Sequence, residues 1–422
     1  MNWKSSPLAP SEQRRRLASL LLEQIRHFGK RGDALPEWQD AARITDPDEL
    51  WRLWPSLPVL TKQMLRERFP ADEVRARCGM PGFLNSTGGS TGEPTHFFQN
   101  SEMGRAAAGA LAYSWLLMGW KPGLATIIVW GSERDIGKLM SARNRLHNRL
   151  LRNSLVDGYA LDQSTVSRVL ELIRRHRRVA IYGFTSMLEF IAREVLAMGA
   201  IPPPGSVQTA WNAGEMLVPD QVELFRKTFG VPLLNSYGGR ELSTIAAQSV
   251  AGGPLQVLRP WLFLEVVRED GAPVAPGEVG RLVCTSTITR GTPFLRYEVG
   301  DLGVFDASHQ TEAGIYALRE LHGRIGSVIK LADGKVISNL FWNHFFKECP
   351  EVHQFQVRFA RNGAVKCFLR GTGFNADREA EQRAVLKNFL GPVPVEFSWV
   401  ERIPLTAQGK LIQVVQEFSD AS

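Results

Sequence analysis

Asn85-Ser-Thr-Gly-Gly-Ser-Thr-Gly-Glu-Pro-Thr95 is the most informative stretch of this 422-residue chain. Four hydroxyl side chains and three glycines fall within residues 86–92. Glycines let backbone N–H groups turn toward an anion, and small hydroxyls add donors without bulk. Ser86, Thr87, Gly88, Gly89, Ser90, Thr91 and Gly92 therefore read as a phosphate-gripping loop. A Ser/Gly linker is the other reading; against it stand the Glu93-Pro94 ending and the immediate run into Phe97-Phe98. The loop is not a Walker loop, because no Gly-Lys-Ser/Thr closes it. Nor does the Gly88-Gly89 spacing match the G-x-G-x-x-G dinucleotide fingerprint. A lysine for the phosphates must come from elsewhere or be absent.

Length and composition set the frame. A chain of 422 residues predicts two or three domains, and 44% apolar with 22% charged residues is ordinary for a globular protein. No apolar run approaches the roughly twenty residues needed to span a bilayer. Arg14-Arg15-Arg16 before an apolar run faintly resembles a signal peptide, but Glu23, Gln24 and Arg26 end that run early. Leu17, Leu20, Leu21 and Ile25 sit instead at helical spacing. The four scattered cysteines form no C-x-x-C pair, so a reduced, cytoplasmic protein without a disulfide framework or a zinc cluster is expected. A formal charge of +7 favours anionic partners: nucleotides, CoA or an acidic carrier protein. Arginine clusters at 143–152 and 174–178 carry much of it, either as solvated helix faces or as a docking patch. Neither a nucleic-acid nor a membrane partner is expected, since no binding motif or spanning segment accompanies the charge.

Outward from the loop, residues 11–77 read as helices broken by Pro36, Pro47, Pro55 and Pro58. Strands at 125–130, 179–182, 206–211 and 231–235 alternate with helices at 166–177, 186–198 and 219–229. That alternation predicts a parallel sheet with crossover helices, a class in which ligands sit at the carboxyl ends of strands. Residues 261–268 and 279–287 read as an antiparallel pair. Beyond about residue 323 a hairpin around Asp333-Gly334 opens a small α+β unit, with strands at 352–359, 364–369 and 394–399 and helices near 339–348 and 376–390. The fold class is thus α/β: a large N-terminal domain of parallel and mixed sheets over 1–322, and a small mobile α+β domain over 323–422.

Four later segments give the loop its meaning. Asn235-Ser-Tyr-Gly-Gly-Arg-Glu241 follows a strand and places Tyr237 and Glu241 at a strand end. Leu295-Arg-Tyr-Glu-Val-Gly-Asp301 sets a carboxylate after a glycine turn, and His322-Gly-Arg324 opens the small domain. Ile403-Pro-Leu-Thr-Ala-Gln-Gly-Lys410 puts a lone lysine on a glycine turn near the C-terminus. In that order and spacing they resemble the core motifs of the adenylate-forming (acyl-AMP-forming) ligase superfamily, and more closely its phenylacetate-CoA ligase and CapK-type branch. Leu57-Pro-Val-Leu-Thr-Lys62, Trp130-Gly-Ser-Glu-Arg-Asp135, Tyr182-Gly-Phe-Thr-Ser186, Trp211-Asn-Ala-Gly-Glu215 and Gln354-Phe-Gln-Val357 add to the resemblance, which covers nearly the whole chain.

The resemblance implies an enzyme that uses ATP and Mg²⁺ to convert a carboxylic acid to acyl-AMP, with CoA as probable co-substrate. Residues 86–92 would hold the β and γ phosphates. Tyr237 would stack on adenine, with the backbone of Ala213, Gly214 and Glu215 on its other side. Glu241 would bind Mg²⁺, a hard cation that prefers carboxylate oxygen. Asp301 would accept from the ribose hydroxyls, and Arg324 would reach ribose or phosphate from the hinge. Lys410 would bridge the substrate carboxylate and the α-phosphate during attack. The acyl pocket would be lined by Tyr182, Phe184, Trp211, Asn212, Gly238 and Gly239, which suits an aromatic or flat acid. Arg240 and Arg296 contact phosphate or pair with carboxylates. The acceptor is CoA, or alternatively a carrier-protein phosphopantetheine or an amine in natural-product or polysaccharide biosynthesis. A non-catalytic nucleotide-binding homologue is a third reading. A homodimer is common in this branch.

Three departures accompany the resemblance. Arg240 stands where relatives have Thr before the metal-binding Glu. Ile325-Gly326-Ser327 replaces the usual hinge aspartates, so the hinge is expected near Gly326, withdrawing Lys410 and presenting the Gly334 hairpin between the two half-reactions. Residues 306–322 lack the cysteine cluster found in many relatives, so no zinc is expected.

Overall fold

The structure is a computed structural model that describes residues 9–86, 95–130, 148–158, 161–259, 261–311, 314–324, 329–330, 336–337, 342, 345–346, 349–360, 364–403 and 411–416. Within it the chain forms two compact units, one extending to Leu321 and one taking in His322–Ser422. Among the described residues no helix is long and apolar enough to cross a membrane.

The larger unit is built on two sheets. The first has five strands, ordered Asn153–Asp157, Ala125–Trp130, Val179–Phe184, Val207–Ala213, Leu233–Leu234, and every pairing is parallel. Val179 and Ile181 point to one face and Ala180 and Tyr182 to the other, as the two-residue repeat of a strand requires. The first face packs with Val207, Ile127 and Val129 against Val169 and Ile173, Leu188 and Ile191, and Phe225. Those belong to the crossover helices Gln163–His176, Thr185–Ala197 and Pro219–Phe229. Asp162 starts the first of these by accepting from the Ser164 and Thr165 amides, satisfying two of its orphan N–H groups. Pro219 and Gly230 bound the third in the usual asymmetric way. On the opposite face Tyr182 and Trp211 meet Trp115, Met118 and Trp120, at or beyond the end of helix Ser101–Leu117, and Ala247 of the second sheet.

The second sheet has seven strands in the order Leu262–Val267, Gly280–Ser286, Tyr297–Phe305, Ala317–Arg324, Leu255–Val257, Ser243–Gln248, Ser236–Gly239. The 261–268 and 279–287 expectation is met as an antiparallel pair with Leu264 opposite Cys284. Helix Pro10–Arg31 buries Leu17, Leu21 and Ile25 in the core beneath this sheet and ends at left-handed Gly32. The hairpin Gly82–Ser86 with His96–Asn100 flanks the glycine-rich loop, with Ser86 opposite His96. Phe97 and Phe98, expected only as an apolar stretch, are buried strand residues: Phe98 exchanges backbone hydrogen bonds with the Thr292 hydroxyl, and Phe97 packs edge-on against Phe294.

In the smaller unit Val352–Phe359 and Val365–Gly371 pair antiparallel, with Val395–Trp399 and Val414–Gln416 parallel on their outer sides. Helix Ala376–Leu390 buries Leu386 and Leu390 in a core with Val357, Leu369 and Trp342. Ile329–Lys330 pairs with Val336–Ile337 as the Asp333-Gly334 hairpin signal predicts, the turn itself lying outside the described residues.

Candidate functional site

Among the described residues, Tyr182, Phe184, Trp211, Asn212 and Ala213 lie where the parallel strands end, while Tyr237 and Asp301 stand in strands of the seven-stranded sheet. Tyr182, Gly183 and Phe184 stand in register with Trp211, Asn212 and Ala213. Gly183 is required there, since a Cβ would lie 2.6 Å from the Val129 carbonyl oxygen. Asn212 is fully buried and its amide is committed on both sides. Nδ2 donates to Thr185 Oγ1 at 2.9 Å and to the Glu215 carbonyl at 3.0 Å, while Oδ1 accepts from the Ser236 amide at 2.8 Å. One side chain thus ties the end of a strand, the start of a helix and the Tyr237 segment together.

Glu215 has a part that sequence reading did not assign. Its carboxylate accepts from the Ser186 amide at 2.7 Å and the Ser186 hydroxyl at 3.0 Å. It therefore caps the N-terminus of helix Thr185–Ala197, where a negative charge is favoured. Gly214, with φ at +67°, makes the bend that brings it there. The backbone of residues 213–215 is held rigidly as a result.

Tyr237 and Asp301 come from different motifs and meet directly: the phenol donates to Asp301 Oδ2 at 2.8 Å. Asp301 follows Gly300, whose φ of +92° only glycine adopts freely, in strand Tyr297–Phe305. A Cβ on Gly300 would lie 3.2 Å from Lys62 Nζ, so the ammonium of the Leu57–Lys62 motif is seated beside this turn. Leu60 holds that motif in place by pairing in parallel with Tyr297. Glu241 is buried, and Tyr297, fully buried itself, donates to its Oε1 at 3.1 Å. Gly238 is demanded by packing, since a Cβ would stand 2.3 Å from the Ser243 carbonyl oxygen. At Gly239 a Cβ would come within 3.1 Å of Glu241 Oε2.

Arg296 resolves to carboxylate pairing. It is buried, with φ at +42°, and pairs with both oxygens of Glu265 at 3.0 and 3.3 Å. It also donates to the carbonyls of Trp54, Pro55, Leu57 and Gly271. Burial pushes the Glu265 carboxyl pKa up, and the guanidinium opposes that rise. Arg296 is a strut that fixes residues 54–60 to the sheet. Its neutral alternative, phosphate contact, is ruled out by these five partners.

An aromatic cluster sits on the sheet face behind the strand ends. Tyr182 stacks on Trp211 with centroids 5.7 Å apart, and Trp211 lies 5.2 Å from Trp115. Phe184 stacks on Trp130 at 4.3 Å, and Trp130 lies 5.6 Å from Tyr182. Desolvation raises the Tyr182 phenol pKa, which keeps that hydroxyl protonated. Among the described residues the indole N–H groups of Trp115 and Trp211 are buried without a hydrogen-bond partner.

Thr87, Gly88, Gly89, Ser90, Thr91, Gly92, Gly326 and Lys410 lie outside the described residues, and of Arg324 only the backbone is described, at the end of strand Ala317–Arg324. Ser86 ends its strand buried at the loop's edge. Among the described residues no group of three or more His, Cys, Asp or Glu could hold a metal ion. Sequence reading missed Tyr297, Lys62 and Trp115. The first two stood within motifs already quoted, but their places beside Glu241 and Gly300 depend on contacts 56 residues away and on the docking of the Leu60 segment.

No family model matches the chain. Among curated proteins it is similar to Protein CapK of Staphylococcus aureus, at 24% identity over 251 residues, which take in 58% of this chain and 52% of that protein. The match thus spans about half the length of the curated relative. Among solved structures it is similar to 2-hydroxyisobutyryl-CoA ligase in the postadenylation state with R3-HIB-AMP, with TM-score 0.76, 17% identity, and coverage of 97% of this chain and 90% of that one. It is also similar to o-succinylbenzoate CoA synthetase (MenE) from Bacillus subtilis in complex with the acyl-adenylate OSB-AMP, with TM-score 0.58, 20% identity and coverage of 80% and 69%. A third is the amide bond synthetase McbA from Marinactinospora thermotolerans, with TM-score 0.55, 21% identity and coverage of 76% and 65%. The chain has the fold of the acyl-adenylate-forming ligases, as the order of its motifs predicted.

Proposed function

We propose that this protein activates a carboxylic acid with ATP and passes the acyl group to CoA. The observation that carries the reading is the Tyr237–Asp301 hydrogen bond, made between residues 64 apart in sequence from two motifs of the set. A phenol ring able to stack on a base is thereby joined to a carboxylate able to accept both ribose hydroxyls. In the first step an oxygen of the acid attacks the α-phosphorus, the bond to the bridging oxygen breaks, and pyrophosphate leaves. In the second the thiol sulfur attacks the acyl carbon, the thiol proton is lost, and AMP leaves. Both steps bring electron-rich groups together, so fixed donors aimed at the developing charge lower the barrier.

Residues 86–92 are assigned to the outer phosphates and Lys410 to the carboxylate and α-phosphate. Glu241 fits Mg²⁺: it offers a buried hard oxygen, one of its two being oriented by Tyr297, and Mg²⁺ is usually held by one or two carboxylates plus substrate phosphates. When bound there the ion neutralises phosphate charge. The backbone of residues 213–215, fixed through Glu215 and Asn212, lines the base on the side away from Tyr237.

The finer reading is an aromatic or flat acid. Supporting it are the Tyr182–Trp211–Trp115 stack and the two unpartnered indole N–H groups, which offer donors to a polar substituent in an apolar site. An amine acceptor is the second reading, favoured by the likeness to an amide bond synthetase. Incubation with ATP and a panel of carboxylic acids, followed by hydroxylamine trapping with and without CoA, tests the proposal. An acid-dependent hydroxamate, replaced by a CoA thioester when CoA is added, is expected. Hydroxamate without any thioester would overturn the CoA assignment.

A further inference from the structure

The parallel sheet has a second edge, where its strands begin. Residues 118–124, 148–152, 174–178, 198–206 and 226–232 lead into the five strands, and none contains an Asp or Glu. They carry Lys121, Arg149, Arg152, Arg175, Arg177 and Arg178 among other cations. Backbone pairing places these together: Thr126 N–H donates to the Arg152 carbonyl at 3.1 Å, and Val179 N–H to the Ser206 carbonyl at 2.9 Å. Arg152 also reaches the Gly123 carbonyl at 3.0 Å, and Arg178 reaches Gln208 Oε1 at 2.6 Å. After desolvation, it is Arg152 and Arg175 that depress the His176 pKa, as neighbouring cations must. Among the described residues none of these six cations has a carboxylate partner.

Helix-dipole compensation explains Arg174 and Arg175, which lie in the last turn of Gln163–His176. It does not explain Lys121, which lies outside helices. Nor does it explain the aliphatic side chains among the cations. Leu150 is 74% exposed and Leu151 43%, between Arg149 and Arg152; Met198 is 47% exposed and Ile201 53%. Exposed aliphatics ringed by unpaired cations match the boundary between lipid headgroups and acyl chains. A polynucleotide would use the charge but leave the leucines in water. A carrier protein docked here would face the starts of the strands, away from the ends that hold Asn212 and Tyr182.

We propose that this edge is a peripheral docking surface for an anionic lipid bilayer. It needs no spanning helix and revises the expectation, drawn from the lack of one, that a membrane plays no part. Flotation of the full chain with vesicles of phosphatidylcholine alone, and with phosphatidylserine added, tests it. Binding should rise on the order of a thousandfold with the anionic lipid and fall back at about 1 M salt. The combined variant Arg149→Gln, Arg152→Gln, Arg175→Gln, Arg178→Gln should lose on the order of a hundredfold in partitioning. Lysines at the same four positions should retain it, and Leu150→Ser with Leu151→Ser should weaken it several-fold at unchanged charge. Acid-dependent pyrophosphate release should be the same in all. Equal binding to both vesicle types, anionic binding that survives the glutamine variant, or retention on heparin without vesicle binding would each overturn the proposal.

Discussion

Replacing Tyr237 with Phe removes one oxygen and leaves the ring. In the structure that oxygen donates to Asp301 Oδ2 at 2.8 Å. Hydrogen bonds to charged groups contribute about 1.5–3 kcal/mol, and the lower figure applies to a pair that is only part-buried. About 1.4 kcal/mol is a factor of ten, so Tyr237→Phe should weaken ATP binding roughly tenfold. The loss arises because Asp301, no longer held on one side, must be ordered by the ribose itself. An ionised carboxylate has about four acceptor positions, so it can keep the phenol and still take both ribose hydroxyls. Titration calorimetry with ATP and with 2′-deoxy-ATP reads this without knowledge of the acid. The wild type should prefer ATP, and Tyr237→Phe should narrow that preference as well as the affinity. Tyr237→Leu, which also removes the stacking surface, should cost about 1–3 kcal/mol more. A Tyr237→Phe dissociation constant within twofold of wild type, with the preference unchanged, would refute the coupling of base platform to ribose carboxylate.

Three further outcomes follow from the buried groups, and one from the remote lysine. Arg296→Met leaves Glu265 buried without its partner and should destabilise the fold by about 3–5 kcal/mol in denaturant unfolding, whereas adding Glu265→Leu should recover much of that loss. Tyr297→Phe frees Glu241 Oε1 and should raise the Mg²⁺ concentration for half-maximal pyrophosphate release several-fold, with little change in melting temperature. His27 has a pKa lowered from 6.5 by burial and by Arg290 and Arg31. The unfolded chain therefore holds that proton more tightly, so the stability is present above pH 6.5 and is lost as pH falls below it through the folded value. Melting temperature should drop between about pH 7 and pH 5, and less steeply in His27→Gln. Lys410→Ala should abolish most adenylation while leaving thioester formation from supplied acyl-AMP nearly normal; equal loss of both would count against separate roles in the two steps.

The fold was legible where chemistry is local. Helix boundaries at Pro219 and Gly230 are written in the sequence by residues that cannot continue a helix or that tolerate a left-handed turn. The parallel strands announced themselves as apolar runs between helical repeats. Strands Ser243–Gln248 and Leu255–Val257 did not, because short strands with alanine and glutamine carry little periodicity, and the pairing of Leu255–Val257 with Ala317–Arg324 is distant. Of the candidate site, Tyr237, Glu241 and Asp301 could be nominated from sequence because each stands in a compact motif. What each touches was not. Arg296 stands five residues before Asp301, yet its partners are Glu265 and carbonyls some 240 residues away, a choice set by packing alone. Glu215 likewise was read for its backbone, whereas its carboxylate caps a helix that begins thirty residues earlier.

Acid-dependent exchange of labelled pyrophosphate into ATP tests the central claim most directly, because only reversible adenylation produces it. The account predicts exchange with at least one carboxylic acid from a broad panel, strongly reduced in Lys410→Ala and Asp301→Ala. A folded protein that binds ATP by calorimetry yet supports no exchange with any acid would contradict it.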